Sequence, residues 1–155
     1  MTITWRTSWQ HDDIVVHRDE VEVDRIAAER IVRVHLLYRG RGDSPGDIAH
    51  SLVELDDAFV LFEPATGFAG RVNFERQRFW QQRACVHWVD AARASLPWRL
   101  RLAGWSAPAW RRFEHAALAE HVARWTIGPP QTWEERKQRR IERSRPFSDT
   151  SPRHA

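Results

Sequence analysis

Short runs in which apolar and polar residues alternate fill the first half of the chain. Within Val32–Tyr38 the apolar residues alternate with Arg33 and His35, a period of two that is typical of a half-buried β-strand. Similar short apolar runs predict six further strands, around Ile3–Trp5, Ile14–Val16, Val21–Val23, Ser51–Leu55, Phe59–Phe62 and Val72–Phe74. Turn-forming residues separate the runs, and the longest such stretch is Gly40–Gly46. The pattern therefore predicts an antiparallel sheet of about seven short strands over residues 3–75.

The hydrophobic period then changes from two to between three and four. Glu75–Ser95 contains no proline or glycine, and Trp80, Ala84 and Trp88 lie four residues apart. A second stripe begins at Trp110, and Thr132 has the spacing of a capping-box start for a third helix. These features predict three helices, over residues of about 75–95, 109–127 and 132–144.

The order of elements predicts an α+β fold. Seven short strands followed by a helix are similar to pleckstrin-homology-like domains over the first 95 or so residues. That resemblance implies a bent antiparallel sheet closed at one end by the helix of residues 75–95. We expect residues 1–127 to form a single α+β domain, and residues 128–155 to form a basic C-terminal helix and tail.

Composition excludes some classes of protein but does not indicate which reaction or ligand this chain uses. The chain has 155 residues, of which 42% are hydrophobic and 29% charged, so it has enough apolar residues for a core. No apolar run has the length of a membrane span, and Met1–Gln10 lacks the apolar core of a signal peptide. Cys85 is the one cysteine, which excludes an intrachain disulfide framework. We expect a cytoplasmic protein, and no motif predicts a catalytic residue, a metal ligand or a cofactor.

Charge is divided unevenly along the chain. Residues 1–77 hold nine arginines against fourteen acidic residues, whereas residues 78–155 hold fifteen basic residues against seven acidic ones. The third predicted helix carries much of this positive charge, and its apolar stripe is too thin to hold it firmly against a core. Its candidate partner-binding residues are Trp133, Arg136, Lys137, Arg139, Arg140 and Arg143. The resulting hypothesis is a non-catalytic binding or adaptor module whose basic C-terminal arm engages an acidic partner, either a protein or a nucleic acid.

Two alternatives use other parts of the chain. Trp98 and Trp105 lie in a stretch rich in tryptophan and arginine, a composition that suits a membrane surface. One alternative is therefore a peripheral membrane protein or a subunit of a membrane complex. Phe68 lies between glycines on a predicted turn and is a further candidate surface contact. A small enzyme would have to use scattered groups such as His35, His50 and Asp47, and their spacing matches no catalytic motif.

The loop Arg41-Gly42-Asp43-Ser44-Pro45 resembles the integrin-binding loop of fibronectin over five residues. The resemblance implies an exposed turn that offers a cation and a carboxylate to a receptor. Glycine, aspartate, serine and proline also form turns unaided, and we find no export signal ahead of the loop. We therefore expect a connecting loop and no integrin partner.

Overall fold

The structure, a computed structural model, describes residues 3–63, 66, 68, 85–94, 110–125, 130, 131 and 133–144. It contains eight strands and two helices within these ranges. The strands are β1 (Trp5–Gln10), β2 (Asp13–Arg18), β3 (Val21–Ala27), β4 (Arg33–Tyr38), β5 (Ile48–Glu54), β6 (Ala58–Phe62), β7 (Val86–Asp90) and β8 (Trp110–Glu114). The helices are α1 (His115–Trp125) and α2 (Trp133–Ser144). The fold is therefore α+β.

The strands form two sheets. Three strands make an antiparallel sheet in the order β1-β2-β3, and five make a second sheet in the order β7-β4-β5-β6-β8. In the second sheet β7 runs parallel to β4, while the other neighbouring strands are antiparallel. Parallel neighbours need a crossover rather than a hairpin, and the chain returns from β6 to the far edge of the sheet to supply β7.

Both faces of the five-stranded sheet are covered. On β6, Val60 and Phe62 join a core that also contains Ile14 from the three-stranded sheet, whereas Phe59 and Leu61 join a second core with the buried side chains of α1. This explains why all five residues of β6 are buried, and why the strand has a continuous apolar run rather than an alternating one. The five-stranded sheet is the middle layer between the three-stranded sheet and α1.

One ion pair joins the two sheets at their margin. Arg112 on β8 donates from Nε and Nη2 to the two carboxylate oxygens of Asp24 on β3, at 3.1 and 3.0 Å. A two-point guanidinium–carboxylate contact fixes orientation as well as distance. The pair therefore holds β3 of the first sheet close to β8 of the second.

The six strands predicted between residues 3 and 62 are confirmed as β1 to β6, and the seventh, around Val72–Phe74, lies outside the described residues. The prediction of a helix over residues 75–95 is wrong at Val86–Asp90, because these residues form strand β7. The helix predicted over residues 109–127 is wrong at its start, because Trp110–Glu114 is strand β8 and the helix begins at His115. The third predicted helix is confirmed as α2.

These corrections change the architecture as well as the element count. The prediction was one antiparallel sheet, but the strands form two sheets, and β7 adds a parallel pair to the larger one. The structure does not show the pleckstrin-homology-like arrangement, because a strand occupies part of the segment that was expected to form the closing helix. Neither described helix has the length and apolar character that crossing a bilayer would require.

Replacing Leu118 by alanine tests the contribution of the second core. Leu118 on α1 is 1% exposed, and truncating a fully buried leucine costs the transfer energy of the lost atoms plus a cavity term. We expect Leu118→Ala to lower the free energy of unfolding by about 2–5 kcal/mol in urea denaturation. Glu120→Ala on the exposed face of the same helix is the control and should change it by less than about 0.5 kcal/mol. Equal effects of the two substitutions would contradict this account of the layer.

Candidate functional site

The predicted basic helix is present as α2, but one of its arginine side chains is buried against the rest of the protein. Arg136 is 4% exposed, and it is the only buried side chain among those described on α2. The sequence pattern assigned Arg136 to a partner-binding surface, whereas in the docked helix its side chain is buried. The physical reason is that its guanidinium group binds acceptors within the same chain.

Three hydrogen bonds hold the Arg136 guanidinium group. Its Nε donates to the carbonyl oxygen of Gly42 at 2.8 Å, and its Nη1 donates to Oε1 of Gln131 at 2.9 Å. Its Nη2 makes a longer contact of 3.4 Å with the carbonyl oxygen of Arg41. A buried cation is tolerated only when its donors are satisfied, and these acceptors supply that compensation.

Two aromatic rings complete the surroundings of Arg136. Its guanidinium carbon lies 4.9 Å from the ring centroid of Tyr38 and 5.0 Å from that of Trp88. Both distances are in the range of a cation–π interaction, which is strongest where the cation is desolvated. We call this set the Arg136 socket: the rings of Tyr38 and Trp88, the carbonyl oxygens of Arg41 and Gly42, and the side chain of Gln131.

The socket is itself fixed by the five-stranded sheet. Tyr38 ends β4 and Trp88 lies on the neighbouring parallel strand β7, so pairing of these strands brings the two rings to one edge. Trp88 donates from Nε1 to the carbonyl oxygen of Gln131 at 3.2 Å, and the amide of Gln131 donates to the carbonyl oxygen of Val86 at 2.9 Å. The segment that leads into α2 is thereby held on β7 before the helix begins.

An ion pair provides a second attachment, two turns further along α2. Arg143 contacts the carboxylate of Asp43, which is 6% exposed. Residues seven apart lie on the same helix face, so Arg136 and Arg143 both face the loop between β4 and β5. That loop contains the Arg41-Gly42-Asp43 sequence and connects two strands, as predicted. Because α2 covers Asp43, this carboxylate is not presented as it would be in a receptor-binding turn.

The other basic side chains of α2 remain exposed. Lys137, Arg139 and Arg140 are exposed, and so are the three glutamates of the helix. Helical spacing places Glu134 one turn from Lys137, and Glu135 and Glu142 one turn from Arg139. Of the remaining predicted site residues, the side chain of Trp133, together with Trp98 and Trp105, lies outside the described part of the structure.

Phe68, predicted as a surface contact, is instead part of the core. It is 2% exposed, and its ring stacks on that of Phe62 with a centroid distance of 4.4 Å. The prediction of a surface role is therefore wrong, because the side chain folds back over the sheet. Thr66 stabilises this arrangement by accepting a hydrogen bond from the amide of Phe68.

A buried carboxylate between two histidines is the main polar feature that the sequence did not reveal. Glu54, at the end of β5, is 7% exposed and accepts from Nε2 of His35 at 3.1 Å and from Nε2 of His115 at 2.9 Å. His35 is fully buried on β4 and its ring stacks on His87 at 5.8 Å, while the ring of His115 stacks on a core phenylalanine, Phe59. The set connects β4, β5 and the first residue of α1.

The electrostatics of Glu54 favour its charged form. Burial alone raises the pKa of Glu54, but the hydrogen bonds from His35 and His115 and the positive charge of Arg33 outweigh burial and lower its pKa to about 2. His35 is inaccessible, and solvent reaches the set at the partly exposed His115. The arrangement thus supports a structural link between the sheet and α1 more directly than contact with a substrate.

The residues of the enzyme hypothesis are separated in the structure. His35 pairs with Glu54, His50 lies 3.7 Å from the carboxylate of Glu63, and Asp47 accepts from a backbone amide in the loop before β5. Among the residues that the structure describes, no group of three or more His, Cys, Asp or Glu side chains is arranged to hold a metal ion.

Searches with protein-family models, with curated proteins and with solved structures find no match to this chain. The function is therefore argued from the geometry of the site.

Adding a methyl group at Gly42 tests the Arg136 socket. Gly42 has a φ of +65°, and a Cβ built there would overlap the Tyr38 ring and come within 2.6 Å of Nη2 of Arg136. We expect Gly42→Ala to lower the free energy of unfolding by about 2–4 kcal/mol, combining left-handed strain with overpacking. It should also accelerate amide hydrogen exchange in α2. Gly46→Ala, whose Cβ would meet nothing closer than 3.9 Å, is the control, and equal stability of the two variants would contradict the prediction.

The lowered pKa of Glu54 predicts an acid-dependent loss of stability. The folded pKa is about 2 and the ordinary value is 4.5, so the contribution of Glu54 is complete above about pH 4.5 and is lost as pH falls toward 2. We expect Glu54→Gln to reduce the free energy of unfolding at pH 7 by about 1–3 kcal/mol. The difference in this free energy between the variant and the parent protein should shrink as the pH is lowered toward 2. Urea denaturation at pH 7, 4 and 2.5 measures the difference. Glu114→Gln, an exposed carboxylate on β8, is the control, and a difference for Glu54→Gln that does not change with pH would refute the assignment.

Proposed function

We propose that the protein is a non-catalytic binding module that contacts the phosphate groups of a nucleic acid. The proposed contact is a basic surface made of five exposed side chains on two segments that touch: Arg39, Arg41, Lys137, Arg139 and Arg140. The observation that carries the proposal is the docking of α2 on the loop before β5, since this contact brings the loop that carries Arg41 next to the basic helix.

Docking makes these cations more effective than a free arm would be. A mobile basic segment loses conformational entropy when it binds, whereas a helix already held at Arg136 and Arg143 loses less. On the loop, Asp43 is already paired with Arg143. On α2, Glu134 lies one turn from Lys137, and Glu135 and Glu142 each lie one turn from Arg139. Five cations beside these three glutamates leave the basic surface with a net positive charge.

The composition of the surface favours phosphate over an acidic protein. Protein interfaces depend on buried aromatic or aliphatic anchors, and the five described side chains of the basic surface include none. Four of the five are arginines, whose planar donors match phosphate oxygens. Contacts to phosphate alone give affinity that depends strongly on salt and little on base sequence.

Neutralising the basic surface on α2 tests the proposal. We expect the triple variant Lys137→Gln/Arg139→Gln/Arg140→Gln to bind labelled single-stranded RNA or duplex DNA at least about ten-fold more weakly at low salt. The slope of log K against log salt should become less steep by about 2–3, because three phosphate contacts are lost. Fluorescence anisotropy at several salt concentrations measures both quantities.

The matched control removes three charges elsewhere. Arg6→Gln/Arg18→Gln/Arg30→Gln changes three exposed arginines outside α2 and outside the loop between β4 and β5, and it gives the same net charge. Equal weakening by both triple variants would show that net charge alone governs binding. Absence of salt-dependent binding by the parent protein would reject nucleic acid and direct attention to an acidic protein surface.

A further inference from the structure

The Arg136 socket has the composition of a ligand-binding site. Its carbonyl oxygens from Arg41 and Gly42 and the amide oxygen of Gln131 lie around the edge of one guanidinium plane. The rings of Tyr38 and Trp88 lie within cation–π distance of the same group. This combination is specific for arginine, because an ammonium group cannot donate in the same plane to several separate acceptors.

Arg136 is the part of α2 that enters the body of the protein. Among the described side chains of α2, only Arg136 is buried, and Ile141 is 41% exposed. A helix of 12 residues is marginal in water unless packing supports it, so the socket and the Arg143–Asp43 pair contribute to holding α2 in place. If α2 were displaced, the rings of Tyr38 and Trp88 and the carbonyl oxygens of the loop would lose this guanidinium group.

We infer that the socket is an arginine-recognition site, occupied within the chain by Arg136 and able to bind an arginine side chain of a partner peptide in exchange for α2. The intramolecular helix is present at high effective concentration, so a competing peptide needs further contacts of its own. Asp43, which pairs with Arg143, provides one such contact for a second basic residue of the peptide.

The socket adjoins the basic surface, since Arg41 contributes to both, but its test does not use nucleic-acid binding. The triple variant Lys137→Gln/Arg139→Gln/Arg140→Gln keeps Arg136 and therefore keeps the socket filled. The variant Arg136→Ala keeps the exposed cations and empties the socket. Failure of either proposal can thus be recognised without reference to the other.

Chemical complementation of the full-length Arg136→Ala variant is the first experiment. We expect its Tm to fall by about 5–10 °C relative to the parent protein, because charged hydrogen bonds and aromatic contacts are lost. Addition of about 50 mM methylguanidinium chloride should restore about 2–4 °C, the size expected for millimolar binding to the folded state. Methylammonium chloride and sodium chloride at the same concentration are the controls, and an equal rise with all three salts would overturn the inference.

A peptide experiment tests recognition of arginine in trans. A labelled peptide of residues 130–144 should bind the Arg136→Ala variant about ten-fold more tightly than the same peptide carrying alanine at position 136. Equal binding of the two peptides would overturn the inference.

A second measurement applies if the Arg136→Ala variant does not fold. In the parent protein, arginine amide should accelerate hydrogen exchange of the α2 amides more than lysine amide does, because it competes for the socket. Equal acceleration by the two amides would overturn the inference.

Discussion

The burial of one guanidinium group determines where the last helix lies and what its other side chains can do. Arg136 donates to two carbonyl oxygens of the loop between β4 and β5 and to the side chain of Gln131, and it lies within cation–π distance of aromatic rings from β4 and β7. A buried charge costs several kcal/mol unless its partners are well placed, so the arrangement is favourable only in this register of the helix. The orientation of Lys137, Arg139 and Arg140 follows from that register. Removing the socket would leave a basic helix with almost no apolar face to direct it.

A second buried charge performs a comparable role on the opposite side of the five-stranded sheet. Glu54 would be unstable in its position without the two imidazole donors and the nearby Arg33. Its bond to His115 fixes the point at which β8 ends and α1 begins, which sets the helix over β6. Each helix therefore has an attachment to the sheet that combines a buried charge with hydrogen bonds, and α1 also packs on the sheet through the second apolar core.

Elements with local sequence signals could be predicted, whereas features that depend on residues far away in the sequence could not. Strands β1 to β6 and helix α2 could be predicted because their periodicity and flanking turns are local signals. Strand β7 could not, since its apolar residues also fit a helical spacing and its strand conformation depends on pairing with β4, about fifty residues earlier. The segment from β8 into α1 contains no proline or glycine, so the two periodicities merged into one apparent helix.

The basic character of α2 was visible in the sequence, whereas the inward role of Arg136 depends on partners as far as 95 residues away. Glu54 did leave a signal, because it is an acidic residue within the apolar run of β5 and such a residue requires partners.

The sequence separation of the α2 contacts has a consequence for synthesis on the ribosome. Arg136 and Arg143 reach back 94 and 100 residues to Gly42 and Asp43, so their contacts are among the most distant in the chain. Pairing between strands within each sheet can begin earlier during translation, because most of it joins nearer neighbours. Until α2 emerges, the rings of Tyr38 and Trp88, two carbonyl oxygens of the loop and the carboxylate of Asp43 lack Arg136 and Arg143 as partners. A nascent chain at that stage therefore differs in surface chemistry from one in which α2 has docked.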